Sequence, residues 1–242
     1  MRRFGLIGYP LTHSFSQKYF TQKFAELGLT DAVYENFSLR TIDELAAVLQ
    51  KPDLRGLNVT IPYKKGVLPF LTMASDVVNI IGACNCIHMS GTDITGYNTD
   101  VVGFEQSLLP FLQPHHTKAL ILGTGGASAA VEYVLAKLGI SFLHVSRKGG
   151  NGAISYEEVT EEIIATHSLI INTTPLGMYP DADAFPAIPY EYITSQHHLY
   201  DLIYNPAETK FLAKGRLKGA TIQNGQEMLL LQAEESWRIW NS

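Results

Sequence analysis

Long apolar runs are missing from this 242-residue chain. No stretch approaches the ~20 consecutive apolar residues of a membrane-spanning helix. The run Phe4-Gly5-Leu6-Ile7-Gly8 is too short for the apolar core of a secretion signal. Cysteine is scarce as well. Cys84 and Cys86 are the two in the chain, too few for a disulfide scaffold. A lone Cys-x-Cys pair is also a poor metal site, so no metal is expected and both thiols read as reduced and structural, as suits a cytoplasmic protein. Positive charge is in deficit: 18 Lys and Arg stand against 23 Asp and Glu, for a net charge of -5. That excludes a broad basic face for nucleic acid but leaves room for a local cluster that grips one small anion. Charged residues are only 17% and hydrophobic residues 46%, which excludes disordered and coiled-coil classes. No internal repeat or low-complexity tract is visible.

What is present is an α/β pattern long enough for one large or two small domains. In the first hundred residues, Phe4 to Gly8, Val33 to Phe37 and Gly56 to Thr60 read as strands. Gln17 to Leu27 carries Tyr19, Phe20, Phe24 and Leu27 at helical spacing. Thr41-Ile42-Asp43-Glu44 has the pattern of a capping box opening a helix through Leu45, Val48 and Leu49. Ala83 to His88 and Thr92 to Tyr97 read as a strand pair joined at Ser90-Gly91, so a mixed sheet is expected. After a connecting helix at Val101 to Leu112, strands alternate regularly with helices: Ala119–Leu122, Ala127–Leu138, Ser141–Val145, a helix opened by a capping box at Ser155–Glu158, Leu169–Ile171, Leu199–Ile203, Ala207–Leu217 and Ala220–Ile222. That alternation implies a doubly wound parallel sheet. Gln226 to Trp240 closes the pattern as an amphipathic helix.

Gly123-Thr124-Gly125-Gly126-Ala127-Ser128 lies between the strand at 119–122 and the helix that follows. Gly123 permits the tight turn, Gly125 lets the backbone approach a pyrophosphate, and the free N–H groups of the helix start receive the negative charge. Small Ser128 stands where the third glycine of the usual fingerprint belongs. An NAD site places Asp or Glu about 20 residues beyond the first glycine, on the ribose hydroxyl. Here that place holds Val145-Ser146-Arg147-Lys148, and the first acid is Glu157. Arg147 can grip a ribose phosphate bidentately and Ser146 can donate to it, so NADP is expected rather than NAD.

Three polar loops complete the candidate site. Asn58-Val59-Thr60-Ile61-Pro62-Tyr63-Lys64 ends a strand, stops it with proline and presents a lysine. Asn98-Thr99-Asp100 supplies a carboxylate, with an N-cap of the following helix as the ordinary alternative. Ser14 and Ser16, after the first strand, can donate to a carboxylate; one of them can instead cap the next helix.

These stretches together resemble the shikimate dehydrogenase family. The resemblance is carried by Gly8-x-Pro10-x-x-His13-Ser14-x-Ser16, Asn58-Val59-Thr60-x-Pro62-x-Lys64, Gly82-Ala83-x-Asn85, Asn98-Thr99-Asp100-x-x-Gly103, Gly123-x-Gly125-Gly126-Ala127-Ser128 and Tyr200-Asp201-x-x-Tyr204. It implies a substrate domain of residues 1–101 plus 226–242 and a Rossmann-type NADP domain of residues 102–225. It also implies the reversible, NADPH-dependent reduction of 3-dehydroshikimate to shikimate in aromatic amino-acid biosynthesis, by a monomer or homodimer that engages neither nucleic acid nor membrane. In that family Lys64 and Asp100 would be catalytic. Ser14, Ser16, Asn58, Thr60, Asn85, Tyr204 and Gln232 would bind substrate. Gly123, Thr124, Gly125, Gly126, Ala127, Ser128, Ser146, Arg147 and Lys148 would hold NADP, with Thr173, Leu202 and Gly225 near the nicotinamide. The chain departs from the family where a second arginine usually follows: Lys148 and then Gly149-Gly150-Asn151 stand there. Glu227 also replaces a common glycine. Rival expectations are dual activity on quinate and shikimate, a non-catalytic NADP-binding regulator, and a methylene-tetrahydrofolate dehydrogenase, against which the serine pair argues.

Overall fold

A computed structural model describes residues 1–11, 14–150 and 152–242, so Thr12, His13 of the first motif and Asn151 lie outside the described residues. The chain forms two compact units, Met1–Asp100 with Gln232–Ser242, and Val101–Leu231.

The first unit is built on a six-stranded mixed sheet, ordered β2-β1-β3-β5-β6-β4. Its strands are β1 (Arg2–Gly8), β2 (Ala32–Ser38), β3 (Leu54–Val59), β4 (Met73–Ala74), β5 (Cys86–Ser90) and β6 (Asp93–Tyr97). β1 runs parallel to β2 and β3, whereas β3–β5 and β5–β6 are antiparallel. Strand period two sends alternate side chains to opposite faces. Phe4 and Leu6 therefore join an aromatic core with Phe20, Phe24, Tyr34 and Trp240. Ile7 joins Leu45, Leu57, Val59 and Ile87 in a second core. Asn58, between Leu57 and Val59, points to the aromatic side, where it meets Tyr34. Trp240 packs so tightly on Gly56 that a Cβ there would collide with the indole ring. The indole nitrogen donates to the Ile87 carbonyl at 2.9 Å.

Helix α1 (Phe15–Glu26) is capped by Ser14, whose Oγ accepts from the Gln17 N–H at 3.1 Å. The expected capping box at Thr41 does not form. Residues Ile42–Glu44 make a 3-10 turn with no side-chain cap bond, leading into the short α2 (Leu45–Leu49). Glu44 instead accepts the Arg40 N–H. Helix α3 (Asp76–Ile81) ends at Gly82, whose φ of 68° is the left-handed cap that glycine adopts freely.

The second unit carries six parallel strands: β7 (Lys118–Leu122), β8 (Ser141–Ser146), β9 (Ala153–Ser155), β10 (Leu169–Asn172), β11 (His198–Asp201) and β12 (Thr221–Gln223). Their order is β12-β11-β10-β7-β8-β9, the doubly wound order in which direction reverses between β7 and β10. Helices α4 (Thr99–Leu108), α5 (Ser128–Lys137), α6 (Glu161–Thr166), α7 (Lys210–Leu217) and α8 (Gln226–Trp240) follow in sequence. Glu158 does accept the Ser155 N–H at 2.7 Å, but the box opens a single 3-10 turn. The helix proper starts later, capped by Thr160. No described helix is long and apolar enough to cross a membrane.

At the start of β11, His198 is fully buried. Its Nε2 lies 3.2 Å from Gln223 Oε1, and its Nδ1 has no partner among the described residues. The rings of Phe111, His116 and Tyr200 surround it. Burial drives its pKa down from 6.5 to about 4. A depressed folded-state value means that neutral His198 favours the fold above pH 6.5 and that this support is lost as pH falls through 4. Asp201 works in the opposite sense. Burial raises its carboxyl from 3.8 to about 6, so its contribution is full in acid and lost as pH rises through that value. A His198→Asn variant keeps the second effect and loses the first. Its stability gap from the parent, measured by urea unfolding, should narrow by about 3 kcal/mol between pH 7 and pH 4. A gap constant with pH would show that His198 titrates alike in both states.

Candidate active site

The lysine loop begins where β3 ends. Thr60 still bonds the Ile7 carbonyl through its N–H at 2.9 Å, and the chain then turns, with the Tyr63 N–H on the Thr60 carbonyl. The Lys64 carbonyl accepts from the Cys84 N–H at 2.8 Å, which anchors the lysine backbone to the segment before β5. Its Nζ donates to Asp100 Oδ2 at 2.7 Å, with the two side chains 24% and 17% exposed. A pair this accessible is shielded from bulk water yet reachable by a small molecule. Asp100 is not the cap of α4: the helix starts at Thr99, so the carboxylate lies within the first turn. The positive end of the helix macrodipole favours an anion there. Cys84 and Cys86 are free and buried. Burial pushes the Cys84 thiol up to about 12 and raises Cys86 as well, so both stay protonated.

Next to this pair runs a continuous polar chain. The Tyr34 phenol, whose pKa is raised by burial and lowered by the nearby Ser16 side chain, donates to Asn58 Oδ1 at 2.8 Å. Asn58 Nδ2 donates to Ser236 Oγ at 2.9 Å, and Ser236 meets Thr99 Oγ1 at 3.3 Å. The Thr99 N–H donates to Asn85 Oδ1 at 2.6 Å, and Asn85 Nδ2 donates back to Thr99 Oγ1 at 3.0 Å. Gln232 joins through its Oε1, 3.4 Å from Thr99 Oγ1, and through its carbonyl, which accepts from Ser236 Oγ. The structure thus brings Asn58, Asn85 and Gln232 into one network that ends beside Asp100, with Ser16 close to its Tyr34 end. Ser14 is occupied as a cap acceptor, yet its hydroxyl proton stays available to donate. Thr60 is half-buried, with its methyl against Gly8. Tyr204 belongs to the second unit and is 42% exposed.

Tyr34, Thr99 and Ser236 escape sequence reasoning as site members. Only Thr99 carries a signal, by standing next to Asp100. Ser236→Ala would leave the buried Asn58 amide short of a partner. We expect a loss of about 1–3 kcal/mol in urea unfolding, with Ser236→Thr retaining more stability than alanine. Equal losses in both variants would mean the hydroxyl contributes nothing.

In the second unit, a cavity of about 420 Å³ opens at the C-terminal ends of β7, β8 and β10. This is the crevice at the reversal of strand order where such sheets bind dinucleotides. Gly123, Thr124 and Gly125 form one wall and Ser146 with Arg147 another. Thr173, Thr174, Pro175 and Leu176 form the third wall. Gly123 has φ 111°, and a Cβ there would strike Thr173 Oγ1 at 2.7 Å, whereas one on Gly125 or Gly126 would meet open space. Ser128, in place of a third glycine, is buried and donates to the Gly125 carbonyl at 2.7 Å, locking the turn onto α5. Glycine freedom, an open cradle, a helix start and a cationic rim fit a phosphorylated dinucleotide.

Lys148 is exposed and does not line the cavity. Neither do Leu202 and Gly225, which pack on each other: a Cβ on Gly225 would collide with the Leu202 carbonyl oxygen. The third wall has a buried support that sequence reasoning misses. Asn172 Oδ1 accepts from Thr174 Oγ1 at 2.6 Å, while its Nδ2 donates to Asp201 at 3.0 Å. Asp201 also accepts from Thr209 Oγ1 and the Ile203 N–H. The available signal is the polar run Asn172-Thr173-Thr174-Pro175 directly after a strand.

A family model described as the shikimate dehydrogenase substrate binding domain matches residues 6–87. The shikimate dehydrogenase (NADP(+)) of Clostridium beijerinckii is 38% identical over 253 residues, spanning 99% of this chain and 92% of the relative. Among solved structures, a chorismate mutase/shikimate 5-dehydrogenase fusion protein from Clostridium acetobutylicum superposes with a TM-score of 0.89 at 34% identity, over 100% of this chain and 91% of that one. Shikimate 5-dehydrogenase from Thermus thermophilus, in complex with NADP(H) and shikimate, gives a TM-score of 0.87 at 30% identity, over 99% and 93% of the two chains. With identity of this size sustained across nearly the whole of both sequences, the chain belongs to the shikimate dehydrogenase family.

Proposed function

We propose that the protein catalyses the reversible reduction of 3-dehydroshikimate to shikimate with NADPH. The observation that carries this reading is the Lys64–Asp100 pair, at 2.7 Å, set beside the Asn58–Ser236–Thr99–Asn85 network. Reduction of a ketone adds hydride to carbon and a proton to oxygen, and NADPH, when bound, supplies the hydride. Lys64 gives the proton to the oxygen in this direction and takes it back in the other. Asp100 holds the ammonium in place and accepts a hydrogen bond from the substrate hydroxyl. Ser14 and Ser16 bind the substrate carboxylate, and Asn58, Thr60, Asn85, Tyr204 and Gln232 bind carboxylate or ring hydroxyls. Residues 1–101 with 226–242 act as the substrate domain and residues 102–225 as the NADP domain. There Gly123 to Ser128 hold the pyrophosphate, Ser146, Arg147 and Lys148 hold the ribose phosphate, and Thr173, Leu202 and Gly225 lie toward the nicotinamide.

Purified protein mixed with shikimate and NADP should generate the reduced nicotinamide absorbance, with far slower reaction when quinate replaces shikimate. Comparable rates on quinate would recast the protein as a dual-specificity quinate/shikimate dehydrogenase. No reaction with any pair of substrate and cofactor would refute the enzymatic reading.

A further inference from the structure

The rim of the dinucleotide cavity holds one residue that neither a fingerprint nor the family pattern singles out. Tyr156 lines the cavity together with Ser146 and Arg147. Strand pairing explains why. β8 and β9 run parallel and end level with each other at Ser146 and Ser155, so the residues that leave the two strands, Arg147 and Tyr156, start from neighbouring positions at the cavity rim. The ring of Tyr156 packs against the core of the second unit, which leaves little freedom to the hydroxyl. The nearby acids do not compete for the position. Glu158 is turned back onto the Ser155 N–H, and Glu157 does not line the cavity. The second arginine that the family usually carries is missing, and Lys148, the cation that could stand in for it, is exposed and outside the lining.

Resting on the NADP reading above, we propose that the Tyr156 hydroxyl is a third donor for the ribose 2′-phosphate, completing a cradle with Ser146 and Arg147. A phosphate monoester presents three strong acceptor oxygens and nearly two negative charges. A guanidinium fork satisfies at most two of those oxygens, so hydroxyls are needed for the rest. Burial raises the Tyr156 phenol while the Arg147 charge lowers it, so the hydroxyl is protonated near neutrality and lies within the field of that guanidinium. The assignment makes Tyr156 a determinant of cofactor choice through one oxygen atom, with its ring remaining structural.

The test uses adenosine 2′,5′-bisphosphate and adenosine 5′-monophosphate, which differ only in the 2′-phosphate, titrated calorimetrically into the whole protein. The parent should bind the bisphosphate at least about tenfold more tightly, as hydrogen bonds to a charged group imply. Tyr156→Phe keeps the ring and should lose about tenfold on the bisphosphate with no change on the monophosphate. A parent indifferent to the 2′-phosphate would overturn the NADP reading itself. A discriminating parent with an unchanged Tyr156→Phe would overturn this proposal alone. Equal weakening of both nucleotides in Tyr156→Phe would also overturn it, by showing that the residue shapes the adenosine pocket rather than the phosphate site.

Discussion

Lys64→Ala is expected to lower kcat by about 10²- to 10⁴-fold, the usual range for a lost general acid–base, while substrate affinity moves only a few-fold. The expectation follows from where the ammonium stands. Its Nζ is held at 2.7 Å by Asp100, and its backbone is pinned by Cys84, so the side chain is positioned before any substrate arrives. An interaction that strengthens as negative charge develops on oxygen appears in kcat rather than in KM. Lys64→Arg separates charge from proton transfer. Arginine keeps the positive charge but does not give up a proton in proteins, so it should be nearly as inactive as alanine. Recovery of turnover in Lys64→Arg would reduce the lysine to an electrostatic role. A raised KM with unchanged kcat in Lys64→Ala would make it a binding residue. Asp100→Asn should be less severe, because the amide oxygen still accepts from Lys64 while its charge is gone.

Arg147→Gln should weaken NADP by about 10- to 100-fold and leave NAD untouched, since a charge-assisted hydrogen bond contributes about 1.5–3 kcal/mol. Arg147 stands after β8 on the cavity rim, with no acid beside it to bind a ribose hydroxyl. Because the guanidinium is exposed, its attraction is screened, and the preference for NADP over NAD should shrink as ionic strength rises. Steady-state constants for both cofactors at low and high salt check both statements. An Arg147→Gln protein that loses NAD and NADP equally would have suffered a general collapse of the cavity.

The elements that are legible in the sequence are those whose periodicity is long enough to declare itself. β7, α5 and β8 can be read almost to the residue, because β7 is a near-continuous buried apolar run and the glycine turn after it fixes where α5 and then β8 begin. The glycine cradle and the Lys64 and Asp100 loops are legible because each combines a strand end with residues that no core would choose. β4 and β9 are not, being two and three residues long and set by their neighbours. The box at Thr41 misleads because its acid finds a competing N–H on Arg40. The network is only half legible. Asn58 and Ser236 lie 178 residues apart, and no local pattern announces such a bond.

That separation bears on how the molecule is made. The first unit takes its closing layer from residues 232–242. Trp240 stacks on Phe4 with ring centroids 5.0 Å apart, and Tyr19 bonds Glu234 across 215 residues. A ribosome delivers these partners in the reverse of the order in which the core needs them. The continuous unit, Val101–Leu231, has all its strands in hand while the aromatic core of the other is still open. Domains generally fold as units during synthesis, so the second unit is set to mature first. The lysine-bearing unit becomes whole only after residues 232–242 have been added. Until then Phe4, Phe20 and Phe24 lack their tryptophan cover, and the nascent chain presents that apolar surface to whatever chaperones attend it.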